Sequence, residues 1–68
     1  MRDFSKIIVY LKAYIAKDKK VYDKDIAEIL QLSQSNFATL KRRNSTPFVN
    51  ILEFCKDEGV CCSEVFFE

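Results

Sequence analysis

The chain has 68 residues but only one glycine and one proline, so it lacks the turn residues that a β-sandwich or β-barrel needs between its short strands. Its apolar residues instead recur at the spacing of an amphipathic helix. The clearest stripe follows intervals of three or four positions: Phe4, Ile7, Ile8, Leu11 and Ile15. An apolar fraction of 49% helps so short a chain to form a core. We therefore expect an all-α fold.

Two helices are predicted in the first half of the chain. The first covers about residues 4–16, with Asp3 as its cap, and ends in the polar segment 17–20. The second is capped by Asp23 and is about two turns long, so it needs packing partners to be stable. Its buried face is predicted to consist of Ile26, Ala27 and Leu30.

A third helix is predicted from about Gln34 to Arg42, with Ser33 as its cap. Its large apolar residues, Phe37 and Leu40, lie three positions apart on one face. The other face is polar and free of acids, and it comprises Gln34, Ser35, Asn36, Thr39 and Arg42. A helix that buries only two large residues leaves the rest of its surface for a partner.

A fourth helix is predicted to have Thr46 as its cap, Pro47 as its first helical residue and Gly59 as its C-terminal stop. Its inward residues are predicted to be Phe48, Ile51, Leu52 and Cys55. A last short helix is predicted within 61–67. The expected architecture is a compact all-α bundle of four to five short helices, forming one domain over residues 1–68.

The charge is distributed unevenly along the chain. Residues 1–50 hold ten Lys and Arg against five Asp and Glu, whereas residues 51–68 hold one Lys against five acids. Between Glu28 and Glu53 there is no acid, and that stretch contains the basic run 41–43. An acid-free basic segment favours a polyanion-facing surface, with an ordinary solvated face as the alternative.

The three cysteines are typical of a reduced cytoplasmic protein, since their number is odd and Cys61 and Cys62 are adjacent. Cys55 is predicted to be a core residue. Cys61 and Cys62 lack the histidine or second cysteine pair of a zinc site, and a thiol-based redox or metal-ion sensor is the alternative for them.

Several classes of protein are excluded or disfavoured by composition. Histidine-based triads are excluded because the chain has no histidine, and no glycine-rich phosphate loop is present. No segment reaches the roughly 18 apolar residues of a membrane span. We expect no enzymatic activity, no metal or other cofactor, no small-molecule substrate and no membrane partner.

The segment from about 23 to 43 has the organisation of a helix-turn-helix. Ala27 is small enough for the two helices to approach closely, and Leu32 and Phe37 are expected to fill the angle between them. In this motif the second helix enters the major groove of DNA.

The motifs at 25–37 and 40–47 make the prediction more specific. The first reads D-I-A-E-I-L-x-L-S-x-S-x-F and resembles the helix-turn-helix of the lambda-repressor-like superfamily. The second, L-K-R-R-N-S-x-P, is similar to the W-K-R-R-N-x-x-P element of phage CI-type repressor domains. The resemblance continues in I-x-x-F-C at 51–55 and in G-V-x-x-x-E-V-F-F at 59–67, so it covers about residues 21–68. Gln31 stands where the family usually has glycine, and Leu40 where it usually has tryptophan; a left-handed Gln31 would carry about 1 kcal/mol of strain.

The resemblance implies which side chains contact DNA. Its base-reading positions fall on Gln34, Ser35 and Thr39, with Asn36 beside them. Glutamine can bond adenine N6 and N7 as a bidentate pair, and serine or threonine can bond several base edges. The phosphate candidates are Ser33, Lys41, Arg42, Arg43 and Asn44, with Tyr22 and Lys24 at the start of the second helix. The alternatives are an ordinary helix surface and, for 41–43, compensation of the helix dipole.

The implied function is that of a cytoplasmic, sequence-specific transcriptional repressor or regulator of phage or prophage type. It would bind a double-stranded DNA operator as a homodimer, with one major-groove half-site for each third helix. Phe66 and Phe67 are expected to form an exposed apolar patch, which favours either a dimer contact or a boundary to a further, dimerising domain. The alternatives are a protein-interaction module, such as an antitoxin or regulatory subunit, and an RNA-binding domain. The predicted outer face lacks the exposed aromatic residues that either alternative needs.

Overall fold

The computed structural model of the chain describes residues 1–16 and 20–67, and all regular structure within these residues is helical. The helices are α1 Phe4–Ile15, α2 Asp23–Ile29, α3 Gln34–Arg43, α4 Phe48–Glu58 and α5 Cys62–Phe66. The prediction of an all-α fold is confirmed. The polar segment predicted after the first helix lies, at 17–19, outside the described residues. No helix of the described chain is long and apolar enough to span a membrane.

Two predicted helix caps are present. The Asp3 side chain accepts a hydrogen bond from the Lys6 N–H at 3.0 Å, and Ser33 Oγ accepts one from the Asn36 N–H at 3.2 Å. Each bond satisfies an amide that has no partner inside its own helix. The starts of α1 and α3 are therefore determined by local side-chain chemistry.

The predicted cap of the second helix is wrong by one residue. Asp23 is the first helical residue of α2, and Tyr22 is the N-cap, whose N–H donates to Asp25 Oδ2 at 2.9 Å. The Asp23 carboxylate instead forms ion pairs with Lys12 and Lys41. It is therefore engaged with other segments of the chain.

The predicted start of the fourth helix is also one residue early. Pro47 has non-helical backbone angles, with φ −81° and ψ 80°, and is the N-cap, while Phe48 is the first helical residue. The Phe48 N–H donates to the Thr46 carbonyl at 3.0 Å, which completes a tight turn before α4. Gly59 ends α4 in the left-handed conformation, as predicted, with φ 69°.

The core is built around α1, which contacts both α2 and α5. Phe4 of α1 and Phe37 of α3 meet edge to face, with ring centroids 5.7 Å apart. The Arg2 N–H donates to the Phe66 carbonyl at 2.7 Å and joins the start of the chain to α5. The buried apolar residues are Phe4, Ile7, Ile8, Leu11, Ile26, Ala27, Leu30, Phe37, Ile51, Phe54, Cys55, Val65 and Phe66.

The buried face of α4 differs from the prediction. Phe48 and Leu52, which were expected to point inward, are 45% and 47% exposed, whereas Ile51, Phe54 and Cys55 are buried. Apolar residues cover a wide arc of this helix, so spacing alone does not select which part is buried. The ring of Phe54 packs edge-on against Tyr14 of α1, with ring centroids 6.2 Å apart, so the buried arc at 51–55 contacts α1.

Of the two residues predicted to form an exposed patch at the end of the chain, one is buried. Phe66 is 7% exposed and packs against Phe48, with ring centroids 5.5 Å apart, because the short α5 lies against α1. Phe67 is 55% exposed, as expected.

Candidate nucleic-acid interface

Residues 30–33 connect α2 to α3 through a left-handed Gln31, whose φ is 58°. The conformation expected for Gln31 is therefore present. The Leu32 N–H bonds the Ala27 carbonyl at 2.8 Å, and Leu32 packs against the core. Asn50 Nδ2 donates to the Leu30 carbonyl at 2.8 Å and attaches α4 to the end of α2. These contacts hold α3 in one position relative to α2.

The beginning of α3 presents polar side chains to solvent. Gln34, Ser35 and Asn36 are exposed, whereas Phe37 is buried, so the predicted division of the helix into two faces is present. Thr39 is half-buried, and its hydroxyl donates to the Ser35 carbonyl at 3.0 Å. Thr39 thus keeps only acceptor capacity and its methyl group for a base edge, while the other three side chains are open to a ligand.

The last turn of α3 is basic. Arg42 and Arg43 are exposed, and neither forms an ion pair within the described residues. Lys41 Nζ lies 2.5 Å from Asp23 Oδ2, so its charge is already paired. The three residues predicted as phosphate contacts are therefore not equivalent, and the two arginines are the more available cations.

Asn44, which was predicted to contact a phosphate, has a structural role at the end of α3. It ends α3 in the left-handed conformation, with φ 53°, and its Oδ1 accepts the Phe4 N–H at 3.1 Å. The side-chain carbonyl is thus used inside the protein, and only Nδ2 remains to donate to a phosphate. The sequence contained one signal of this structure, since asparagine tolerates positive φ better than most residues.

Asp23, which the sequence predicted only as a helix cap, forms ion pairs within the candidate interface. Its Oδ1 lies 2.6 Å from Lys12 Nζ, while its Oδ2 binds Lys41. The hydrogen bond from Lys12, followed by that from Lys41, holds the pKa of Asp23 below its usual value of 3.8. The carboxylate is therefore ionised at neutral pH, beside an otherwise basic helix end.

A groove of about 520 Å³ runs between α2 and α3. Gln34 and the buried Phe37 both line this groove. Its charged lining residues are Asp23, Lys24, Lys41 and Arg42. The groove is thus rimmed mainly by cations next to the polar side chains of α3.

The start of α2 carries an aromatic residue between two lysines. Tyr22 is 51% exposed, and the Nζ atoms of Lys20 and Lys24 lie 5.4 Å and 5.9 Å from its ring centroid. Cations at these distances are attracted to the face of the ring. Asp25 and Glu28 border a neighbouring groove with Ser33 and Gln34, so charges of both signs occur on this side of α2.

The cysteines lie away from α3. Cys55 is buried, as predicted, and burial, together with a hydrogen bond that its thiol donates to Cys62, raises the pKa of this thiol to about 12. A thiol with so high a pKa is inert near neutral pH. Among the described residues, no group of three or more His, Cys, Asp or Glu side chains could hold a metal ion.

Comparisons of the chain with protein-family profiles, curated proteins and solved structures find no match. The expectation of a lambda-repressor-like domain therefore rests on the sequence motifs within 25–67 alone. The function of the chain must accordingly be inferred from the geometry of α2 and α3.

Proposed function

We propose that the chain is a sequence-specific DNA-binding domain of the helix-turn-helix type, with α2 and α3 as the two helices of the motif. The observation that carries the proposal is the surface of α3. This helix combines three exposed polar side chains in its first turn, Gln34, Ser35 and Asn36, with two exposed arginines in its last turn. No acid occurs along α3.

The size and chemistry of α3 suit the major groove. A helix of ten residues is about 15 Å long, and the major groove of B-DNA, about 12 Å wide, admits an α-helix. Gln34 and Asn36 each carry an amide that can donate and accept at once, as recognition of adenine requires. Ser35 adds a hydroxyl, and the half-buried Thr39 lies one turn further along the same helix.

The phosphate contacts are proposed to come from both ends of the motif. Arg42 and Arg43 at the end of α3 provide cations that form no ion pair within the described residues, and Ser33 precedes the first turn of this helix. At the start of α2, Tyr22 and Lys24 are both exposed. Each cation that neutralises a phosphate releases counterions, so binding must weaken steeply as salt is added.

An apolar surface on α4 supports the proposal that two copies bind together. The surface is formed by three exposed apolar residues of α4, Phe48, Val49 and Leu52, and Phe67, which follows α5, is exposed as well. Clusters of exposed apolar side chains mark association sites on otherwise polar proteins. A two-fold dimer on an operator would present one α3 to each half-site, one helical turn of DNA apart. Because the 40–47 motif resembles that of phage CI-type repressor domains, we propose a transcriptional repressor of phage or prophage type acting in the cytoplasm.

The decisive experiment is a selection from a randomised duplex pool, followed by fluorescence anisotropy of the enriched site over a range of salt concentrations. We expect a palindromic site and a linear fall of log affinity with log salt. Sedimentation on the enriched duplex should give two chains per site. An unenriched pool together with salt-independent binding would contradict the proposal. In that case the groove between α2 and α3 and the α4 surface would favour the protein-interaction alternative.

A further inference from the structure

Among the residues that line the groove between α2 and α3, Asp23 carries the negative charge. It lies at the first helical position of α2, and its partners come from two other helices. Lys12 of α1 binds one carboxylate oxygen at 2.6 Å, and Lys41 of α3 binds the other at 2.5 Å. One acid is therefore shared by two cations, which leaves the three groups with a net positive charge, and Lys41 belongs to the surface proposed to face DNA.

The pairing is only partly exposed, since Asp23 Oδ1, the oxygen beside Lys12, is itself buried. The Asp23 side chain is 39% exposed, and those of Lys12 and Lys41 are 34% and 44% exposed. An approaching phosphate would therefore meet the two partly exposed lysine side chains and be repelled by the charge of Asp23 beside them. Exposed ion pairs contribute little to folding, so this arrangement is not explained by stability alone.

We infer that Asp23 limits the affinity of the domain for DNA phosphates, because it holds Lys41 and Lys12 in internal ion pairs and adds a repulsive charge beside them. The inference rests on the proposed function. Phosphate contacts carry no sequence information, so Asp23 should lower the affinity for every duplex by a similar factor. The base-reading residues at the start of α3 are unaffected.

The test compares Asp23→Asn with Asp57→Asn, a change of equal charge on α4. Asp57 lines a different groove, at the other end of α2, and serves as the matched control. Asp23→Asn is expected to tighten binding to a random duplex and to the selected site alike, by roughly fivefold at low salt. In Asp23→Asn the slope of log affinity against log salt should become steeper by about one unit. Asp57→Asn should leave both the affinity and this slope nearly unchanged.

A second pair of variants tests the inference without altering Asp23. Arg42→Met and Lys41→Met should both flatten the slope of log affinity against log salt. Because Lys41 is already paired, its substitution should cause less than half of the change that Arg42→Met causes. In the Asp23→Asn background, Lys41→Met should have the full effect of about one unit.

Equal effects of Lys41→Met and Arg42→Met would overturn the inference, as would equal effects of Asp23→Asn and Asp57→Asn. So would a gain confined to the selected site. These outcomes would not contradict the proposed function, since the unaltered protein would still bind its selected site in a salt-dependent manner. Absence of salt-dependent duplex binding by the unaltered protein and by Asp23→Asn would overturn both.

Discussion

The side chain of Asn44 accepts a hydrogen bond from the backbone N–H of Phe4 at 3.1 Å, across 40 positions of the chain. Asn44 is at the same time the left-handed residue that ends α3. One residue therefore terminates the proposed recognition helix and satisfies a free amide at the start of α1. This bond attaches α3 to the central helix of the core.

Asn44→Gly should lower the free energy of unfolding by about 1 kcal/mol. Glycine adopts the left-handed conformation but cannot accept the Phe4 N–H, and it relieves little strain here because asparagine already tolerates that conformation. Asn44→Asp keeps the acceptor and should remain close to the unaltered protein. Urea unfolding followed by circular dichroism measures both, and equal losses in the two variants would contradict the importance of this bond.

Gln31→Gly should stabilise the domain. Gln31 is exposed and has a φ of 58°, a conformation that costs a residue with a Cβ about 1 kcal/mol or more. Relief of that strain should raise the melting temperature by about 4–8 °C for a domain of this size. Gln31→Ala retains the Cβ and should give no gain, so a similar rise in both variants would refute the strain argument.

Gln34→Ala should weaken binding to the selected site by about 1–3 kcal/mol and relax the preference at one base position. The exposed amide of Gln34 is proposed to pair with a base edge, and a random duplex offers no matched edge. Anisotropy titrations on the two duplexes measure the difference. An equal loss on both would remove Gln34 from the base-reading set.

Arg42→Ala should weaken binding to all duplexes alike and flatten the salt slope by about one unit. Arg42 is exposed at the end of α3 and forms no ion pair within the described part of the chain. Lys56→Ala, on α4, removes the same charge away from α3 and serves as the control. An unchanged slope for Arg42→Ala would mean that this residue contacts no phosphate.

Acid should weaken the fold partly through Asp23. Its pKa is lowered in the folded protein, chiefly by the hydrogen bond from Lys12 and then by that from Lys41. Its contribution is complete above the unfolded pKa of 3.8 and is lost as the pH falls through the lower folded value. The stability difference between the unaltered protein and Asp23→Asn should therefore be constant near neutral pH and shrink below about pH 4. Urea unfolding at each pH measures this difference, and a constant value into strong acid would contradict the pairing.

The helical fold and the exposed face of α3 could be predicted because both depend on neighbours within four positions. The spacing of Phe4, Ile7 and Leu11 predicts a buried helical stripe, and the caps at Asp3 and Ser33 bond amides three residues away. The polar residues that open α3, Gln34 among them, are exposed as predicted, although Gln34 lies only three positions from the buried Phe37 and lines the same groove.

The tertiary structure decided which arc of α4 is buried, whether Phe66 is exposed and which cations of α3 are available. Lys41 and Arg42 are adjacent and look alike in the sequence, yet Lys41 is paired with an acid 18 positions away. The Asn44 contact with Phe4 is equally remote in sequence. Local periodicity determines the elements because helical hydrogen bonds and caps are short-range. Pairings between helices depend on how the elements pack, and no short-range pattern encodes that.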